Sequence, residues 1–336
     1  MITQSTDPGP SGTPPVTLLV AEDLRKSYGS RVALRGLSFS LAAGRILGFL
    51  GPNGAGKTTA IRVLTTMLEP SAGRFVVDGI GSDRPEEIRR RIGVLPEGLG
   101  FPRHMTGLEY LVFFGQLYGR PAGDARSNAL ALLDDVGLAQ RGSTRIGTYS
   151  HGMRQRLGIA RALVNDPVVI FLDEPTLGLD PRGQQDLLGL VQRIAWERKA
   201  GIVLCSHLLS EVEGVCDDVV ILNLGQVVAS GAVADVLGDA ERNIIVVRVA
   251  PESTARAREI LEALPGVRQA TVTDELTGRL AVELAEAEDG HAPEDRLARN
   301  ALLDALVRAD VPVVTFGSGG NRLQELFLQV TDEAIS

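Results

Sequence analysis

No run of apolar residues in this chain reaches the roughly 18 needed to cross a bilayer as a helix. Work at a membrane is therefore expected to go through a partner. Excess positive charge is also missing. The net charge is −8 and is spread along the sequence, whereas nucleic acid as a main partner calls for a basic face. Short basic runs such as Arg89-Arg90-Arg91 read as solvated surface. Cysteine is scarce: Cys205 and Cys216 stand in neither a C-x-x-C nor a Cys/His ligand spacing. The expectation is two reduced, buried thiols in a reducing compartment. Residues Met1 to Pro15 lack the charged-then-apolar order of a signal peptide. They are rich in Ser, Thr, Gly and Pro, the composition of a disordered tail.

What is present is an ordinary globular composition, with 44% hydrophobic and 23% charged residues in 336. That length suits one large domain or two of moderate size. Strand-like sequence starts at Val16 and continues around Tyr28 and through Leu41. Arg45 to Leu50 reads as a buried strand, and the continuous apolar runs Val168 to Leu172 and Ile202 to Cys205 read as parallel strands covered on both faces. Between them, Met105 to about Val164 shows helical patterns and no strand, so a helical insertion of about residues 98–165 is expected in an α/β core. Near residue 240 the pattern becomes strand, helix, two strands, helix, strand, the βαββαβ order of a ferredoxin-like α+β domain. A closing helix is expected over Asn321 to Val330. The expected division is a tail at 1–15, a core domain at 16–240 and an accessory domain at 241–336.

Gly51-Pro52-Asn53-Gly54-Ala55-Gly56-Lys57-Thr58 fits G-x-x-x-x-G-K-[ST] at every fixed position and lies between an expected strand and helix. Glycines let backbone N–H groups curl around phosphate oxygens. Lys57 supplies charge to the β and γ phosphates, and Thr58 offers a hydroxyl to Mg²⁺. Thr59 follows at the helix start, whose positive end faces the anion. The strand Val168 to Leu172 runs into Asp173-Glu174. In a nucleotide site Asp173 would hold Mg²⁺ and Glu174 would polarise the attacking water. No N-K-x-D guanine-reading motif accompanies them.

Tyr149-Ser150-His151-Gly152-Met153-Arg154-Gln155 precedes Glu174, and with it the sequence resembles the ABC ATPase family over about residues 16–240. The family signature, L-S-G-G-Q, sits at a helix start, where Ser150, Gly152 and backbone N–H groups would form an anion site. The resemblance implies that this site acts in trans, on ATP held by a second copy. It implies further that Tyr28 stacks on adenine and that Asp180, in Leu177-Gly178-Leu179-Asp180, belongs to a loop crossing the dimer interface. His207, after Cys205-Ser206, would contact the γ-phosphate and orient Glu174. His104 and His291 have no such context.

Three positions depart from the family pattern. Glu97 stands where Gln usually joins Mg²⁺ to the helical part, and His151 and Met153 replace a Gly and the Gln of the signature. These departures are similar to those of the ABC-2-type exporter branch. Leu323 to Leu328 resembles the ending of that branch's C-terminal domain. The implied protein is a P-loop ATPase with a β-rich edge and a helical subdomain, using ATP and Mg²⁺. It would work as an ATP-sandwich homodimer that powers a separate membrane permease from the cytoplasmic face of the membrane, with no nucleic acid partner. A ribosome- or DNA-directed relative would usually carry two such domains, a long coiled coil or zinc cysteines, and a regulator without turnover would not need Lys57, Asp173, Glu174 and His207 together.

One further feature is dense in aromatics. Phe101, Tyr110, Phe113, Phe114 and Tyr118 follow Glu97 in a chain with only 4% aromatic residues. Helical spacing puts Tyr110, Phe113 and Phe114 on one face, extended by Leu117. That face either packs inside the helical subdomain or lines a groove for a helix of the membrane subunit.

Overall fold

The computed structural model describes residues 16–98, 100–237, 244–284 and 293–318. The expected tail at 1–15, His291 and the closing helix with Leu323 to Leu328 lie outside the described residues. The described chain divides after Val233 into two compact units.

The continuous apolar runs form the centre of a parallel sheet. Strands β3 (Ile46–Leu50), β7 (Val169–Asp173) and β8 (Gly201–Ser206) are buried at every position. Burial on both faces suits strands covered on both sides by helices. With β6 (Ile92–Leu95), β9 (Asp218–Asn223) and β10 (Gln226–Ala232) they form a six-stranded sheet ordered β10-β9-β3-β8-β7-β6. All its pairings are parallel except β10 against β9. Helices α1 (Lys57–Leu64), α6 (Pro181–Arg198) and α7 (Leu209–Val215) follow strands β3, β7 and β8. Ligands of such sheets bind beyond the carboxyl ends of the strands, and all three strand-to-helix turns open there.

A second sheet of four strands is antiparallel. It contains β1 (Thr17–Tyr28), β2 (Arg31–Ala42), β4 (Ala72–Val77) and β5 (Ile80–Gly81), in the order β2-β1-β4-β5. Leu24, Leu37 and Phe75 from this sheet share one core with Phe49, Leu64 and Phe171 of the parallel layer. Each such side chain contributes about 1.5–3 kcal/mol on burial. The short helix α2 (Pro85–Arg89), which the sequence pattern did not suggest, leads into β6.

The expected helical insertion is present as α3 (Gly107–Leu117), α4 (Ala122–Asp135) and α5 (His151–Leu163), with two 3₁₀ turns between α4 and α5. Helix α3 starts with a capping box: Glu109 N–H donates to Thr106 Oγ1, and Thr106 N–H donates to the Glu109 carboxylate. A five-residue helix, α8 (Val233–Leu237), follows β10.

The second unit has the expected βαββαβ order: β11 (Ile244–Val249), α9 (Thr254–Glu262), β12 (Val267–Asp274), β13 (Arg279–Leu284), α10 (Pro293–Arg308) and β14 (Val313–Ser318). Its strands are antiparallel in the order β12-β13-β11-β14, the ferredoxin-like arrangement. The last strand begins at Val313. Pro312 has no N–H to give a ladder, so pairing starts after it. Ile245, Val247, Leu261, Leu280 and Leu306 form a core of its own. No helix among the described residues is long and apolar enough to cross a membrane.

Candidate functional site

The turn after β3 is built for close approach of backbone. A Cβ on Gly51 would stand 2.3 Å from the Leu222 carbonyl oxygen, so only glycine fits there. Gly56 has φ 110° and is followed at once by α1, whose first turn carries no acidic side chain. The N–H groups at that helix start are therefore directed at the loop without a competing carboxylate. Lys57 is 7% exposed, and its Nζ donates to the Gly51 carbonyl at 2.5 Å. The ammonium is thus folded back over the loop with its charge in the turn.

Pro52, Asn53, Gly54, Ala55, Gly56, Lys57, Thr58 and Thr59 line one face of a cleft of about 620 Å³. Tyr28, at the end of β1 and 45% exposed, stands on the same cleft. Lys26 Nζ lies 5.5 Å from its ring centroid. Glu97, Glu174 and His207 complete the wall. Leu177, from the loop that ends at Asp180, also faces the cleft, and sequence reasoning missed Arg35, Arg62 and Leu224, which face it too. No local motif marks them; Arg35 is placed by its bond from Nε to the Leu224 carbonyl at 3.2 Å.

The acidic pair at the end of β7 is split by its surroundings. Asp173 is buried, and its carboxyl is pushed up to about 6, by burial first and then by the charges of Glu97 and Glu174, against the opposing pull of Lys57 and Arg62. Glu174 adopts φ 49°, a left-handed conformation unusual for a residue with a side chain. Such strain persists at functional sites when neighbours hold it. Here its N–H donates to the Cys205 carbonyl at 3.1 Å, and its carboxylate Oε2 accepts from His207 Nδ1 at 2.7 Å. The carboxylate side chain is 12% exposed and the imidazole 42%. A carboxylate only accepts, so Nδ1 carries the proton and Nε2 is turned to other partners.

Among the described residues no three His, Cys, Asp or Glu side chains converge as a metal site. The donors near Lys57 nevertheless fit a hard divalent cation. A small cation such as Mg²⁺ takes one or two protein oxygens and completes its shell with water and phosphate. The Thr58 hydroxyl and the desolvated Asp173 carboxylate, crowded by two other acids, are donors of that kind.

Ser150, Gly152 and Asp180 lie elsewhere. They line a second cavity of about 450 Å³ together with His151, Met153 and Leu179. Ser150 is the N-cap of α5, and its Oγ accepts from Met153 N–H at 3.2 Å. Asp180 precedes α6 without making a side-chain cap. His151 Nε2 donates to the Leu177 carbonyl at 2.8 Å, a link between this cavity and a residue of the first cleft.

The aromatic segment forms one continuous ring cluster, buried at one end and open at the other. Phe101 packs on Tyr110 with ring centroids 5.4 Å apart, and Tyr110 on Phe114 at 4.9 Å. Arg161 of α5 stacks on Phe114 and donates to the Val94 carbonyl of β6 at 2.8 Å. Tyr110 is buried, whereas Phe113 (48%), Leu117 (64%) and Tyr118 (46%) are exposed. Exposure along that shared face is set by the packing of α3 on α4. A Cβ on Gly115 would stand 3.0 Å from Ala125 Cβ, so the side of α3 that carries Gly115, Tyr110 and Leu111 turns inward and Phe113 and Leu117 turn out.

Comparison with known proteins gives a consistent result. A family model described as "ABC transporter" matches residues 34–177. The daunorubicin/doxorubicin resistance ATP-binding protein DrrA of Streptomyces peucetius is 33% identical over 95% of this chain and 94% of its own length. The ABC transporter ATP-binding protein NatA of Bacillus subtilis is 39% identical over 63% of this chain and 86% of its own. A solved ATP-binding subunit of an ABC transporter is 33% identical, with a TM-score of 0.58, over 66% of this chain and 92% of that one. A nucleotide-free ATP-binding cassette from an ABC transporter is 25% identical, with a TM-score of 0.58, over 65% and 92%.

Proposed function

Since the chain belongs to the ATP-binding subunits of ABC transporters, we propose that two copies close on two ATP molecules and that hydrolysis drives a separate membrane permease, in the direction of export. The observation that carries this reading is the bond of His207 to Glu174 at 2.7 Å on the wall of the cleft that holds Lys57. An acid, its orienting group and a phosphate loop face one space, while Ser150 and Gly152 lie on another cavity. A site divided in this way is complete only when a second copy supplies the missing half.

The residues then divide the work. Backbone N–H groups of Gly51 and of Asn53 to Thr58, with the ammonium of Lys57, hold the β and γ phosphates. Tyr28 stacks on adenine. Thr58 and Asp173 would hold Mg²⁺, with Glu97 as a nearby acid linking the site to the helical part; the cation would neutralise charge that develops on phosphate. Glu174 accepts a proton from the attacking water, and His207, placed to contact the γ-phosphate, keeps that carboxylate aimed. Ser150 and Gly152 of one copy meet the γ-phosphate of the other, and Asp180 crosses the interface beside them. A group acting on the wrong side of the interface would leave ATP bound but unhydrolysed.

The membrane subunit meets the chain, in this reading, at Phe113, Leu117 and Tyr118. Phe113 and Leu117 are large apolar side chains open to solvent on α3, with Tyr118 exposed at its C-cap, and the Phe113 ring packs on Phe114, which Arg161 ties to β6. A short helix laid into that surface would cover it. The chain would sit peripherally on the cytoplasmic side through this contact, and residues 241–336 would serve as an accessory domain. DrrA and NatA are named for drug resistance and for an ABC transporter respectively, which supports export without naming a cargo. The test is phosphate release by the purified chain with and without Mg²⁺, and recovery of the neighbouring membrane subunit with it from detergent extracts. Release without dimerisation, or recovery of no membrane protein, would contradict the reading.

A further inference from the structure

The turn that presents His207 is held from behind by a buried polar pair. Ser206 is 0% exposed and Glu211 4%. Ser206 Oγ donates to Glu211 Oε2 at 2.6 Å and accepts from Leu208 N–H at 3.0 Å. One hydroxyl thus braces the backbone on both sides of His207. The direction of these bonds follows from charge. A carboxylate only accepts, so the Ser206 proton is committed to Glu211 and a lone pair is left for the Leu208 N–H. Without the carboxylate the same hydroxyl has a competing acceptor, the Leu208 carbonyl at 3.5 Å, and turning to it would release the N–H.

The pair is also anchored to the phosphate-loop strand. Glu211 lies in the first turn of α7, and its neighbour Val212 packs where a Cβ on Gly48 of β3 would stand, 2.8 Å from Val212 Cγ1. Helix α7 therefore sits hard against the strand that ends in the phosphate loop. The other carboxylate oxygen, Glu211 Oε1, is buried with no hydrogen-bond partner. A buried acceptor left unsatisfied costs about 1–3 kcal/mol, and in native proteins such groups ask for a reason. An apolar residue would serve better if α7 needed only to pack.

We infer that Ser206 and Glu211 form a positioning clamp for His207: they fix the turn on which the imidazole meets Glu174, and act on hydrolysis through His207 alone. This rests on the reading of His207 as the group that orients Glu174. The clamp touches neither nucleotide nor the reacting water. Its loss should lower kcat and leave ATP binding unchanged.

The experiment uses the full chain and the variants Ser206→Ala, Glu211→Ala, the double variant and His207→Ala. Four quantities are read: kcat, KM for ATP, the Kd of a non-hydrolysable ATP analogue, and the downfield Nδ1–H proton resonance identified by its absence in His207→Ala. Displacing an orienting group by a fraction of an ångström costs up to about 10²-fold. Each single variant is expected to lose about tenfold or more in kcat, with KM and Kd within about twofold of the parent. The double variant should be no slower than the worse single one, and the Nδ1–H resonance should be lost or shifted. Additive losses, a KM that rises as kcat falls, an unchanged kcat or an unmoved resonance would each overturn the clamp. If Glu211→Ala does not fold, Ser206→Ala, which removes one oxygen, carries the test. If His207→Ala itself keeps full turnover, the reading of His207 falls and the clamp with it. If His207→Ala is inactive while Ser206→Ala is not, the clamp alone falls.

Discussion

His207 Nδ1 donates to Glu174 Oε2 at 2.7 Å, across the ends of two adjacent parallel strands. Their registers explain why the two meet. Asp173 pairs with Cys205, so Glu174, one residue beyond Asp173, and His207, two beyond Cys205, leave neighbouring strand ends close together. The bent backbone at Glu174, φ 49°, turns its carboxylate toward the imidazole. In the proposed reading this contact aims the hydrolytic acid through protein groups alone.

Lys57→Ala should lose nucleotide affinity. Its ammonium is the buried charge of the loop, at present held by the Gly51 carbonyl at 2.5 Å. A charged hydrogen bond is worth about 1.5–3 kcal/mol, so ATP should bind at least about tenfold more weakly by calorimetry. Equal affinity in the variant would show that the loop backbone suffices.

These elements were legible in the sequence for a physical reason. The strands β3, β7 and β8 are buried on both faces and so read as unbroken apolar runs, and the loop glycines are required by backbone contact. The partners that act across the chain were not legible. Nothing local to His151 announces its bond to the Leu177 carbonyl, or local to Ser206 its bond to Glu211. Which residues of the aromatic face of α3 are buried was not legible, because a helical wheel gives a spacing and no orientation. The close seat of Gly115 on Ala125 supplies the orientation.

Ser150 should separate binding from turnover. Ser150→Gly removes the hydroxyl while costing the helix only a few tenths of a kcal/mol, less than the roughly 1 kcal/mol expected of Ser150→Ala. Monomers of either variant should bind ATP within about twofold of the parent, while ATP-dependent dimerisation and phosphate release fall by about tenfold or more, the scale of losing a charge-assisted bond. Light scattering with ATP checks the dimer. A monomer that no longer binds ATP would contradict a role in trans.

Asp173 gives a pH dependence of stability in the absence of nucleotide and Mg²⁺. Its carboxyl is raised from 3.8 to about 6 by burial, then by Glu97 and Glu174. The folded chain therefore holds a proton there that the unfolded chain has released. Stability from this group is fully present below pH about 4 and is lost as pH rises toward about 6; above that, the ionised acid is a standing cost of about 2–3 kcal/mol. Asp173→Asn should raise the Tm at pH 8, gain little at pH 4.5, and abolish Mg²⁺-dependent turnover. A Tm gain equal at both pH values would contradict the assignment.

Phe113→Ser should leave folding and basal ATPase intact, because the ring is 48% exposed. Co-purification with the membrane subunit should be lost. Phe101, half-buried against Tyr110, is the poorer probe, since its loss disturbs the ring stack beneath. Retained association in Phe113→Ser and in Leu117→Ser would place the docking surface elsewhere.

The central claim is that Glu174 activates the water that attacks ATP. Its carboxylate is nearly buried, aimed by His207 and set beside the phosphate loop. Glu174→Gln keeps the shape and the hydrogen bond but removes the base, which usually contributes about 10²–10⁴-fold. The deciding measurement is single-turnover phosphate release by Glu174→Gln at saturating ATP and Mg²⁺, with the dimer followed in the same sample. The account predicts unchanged ATP affinity, release slowed at least about 10²-fold and an ATP-bound dimer that persists. Phosphate release at the parent rate would contradict it.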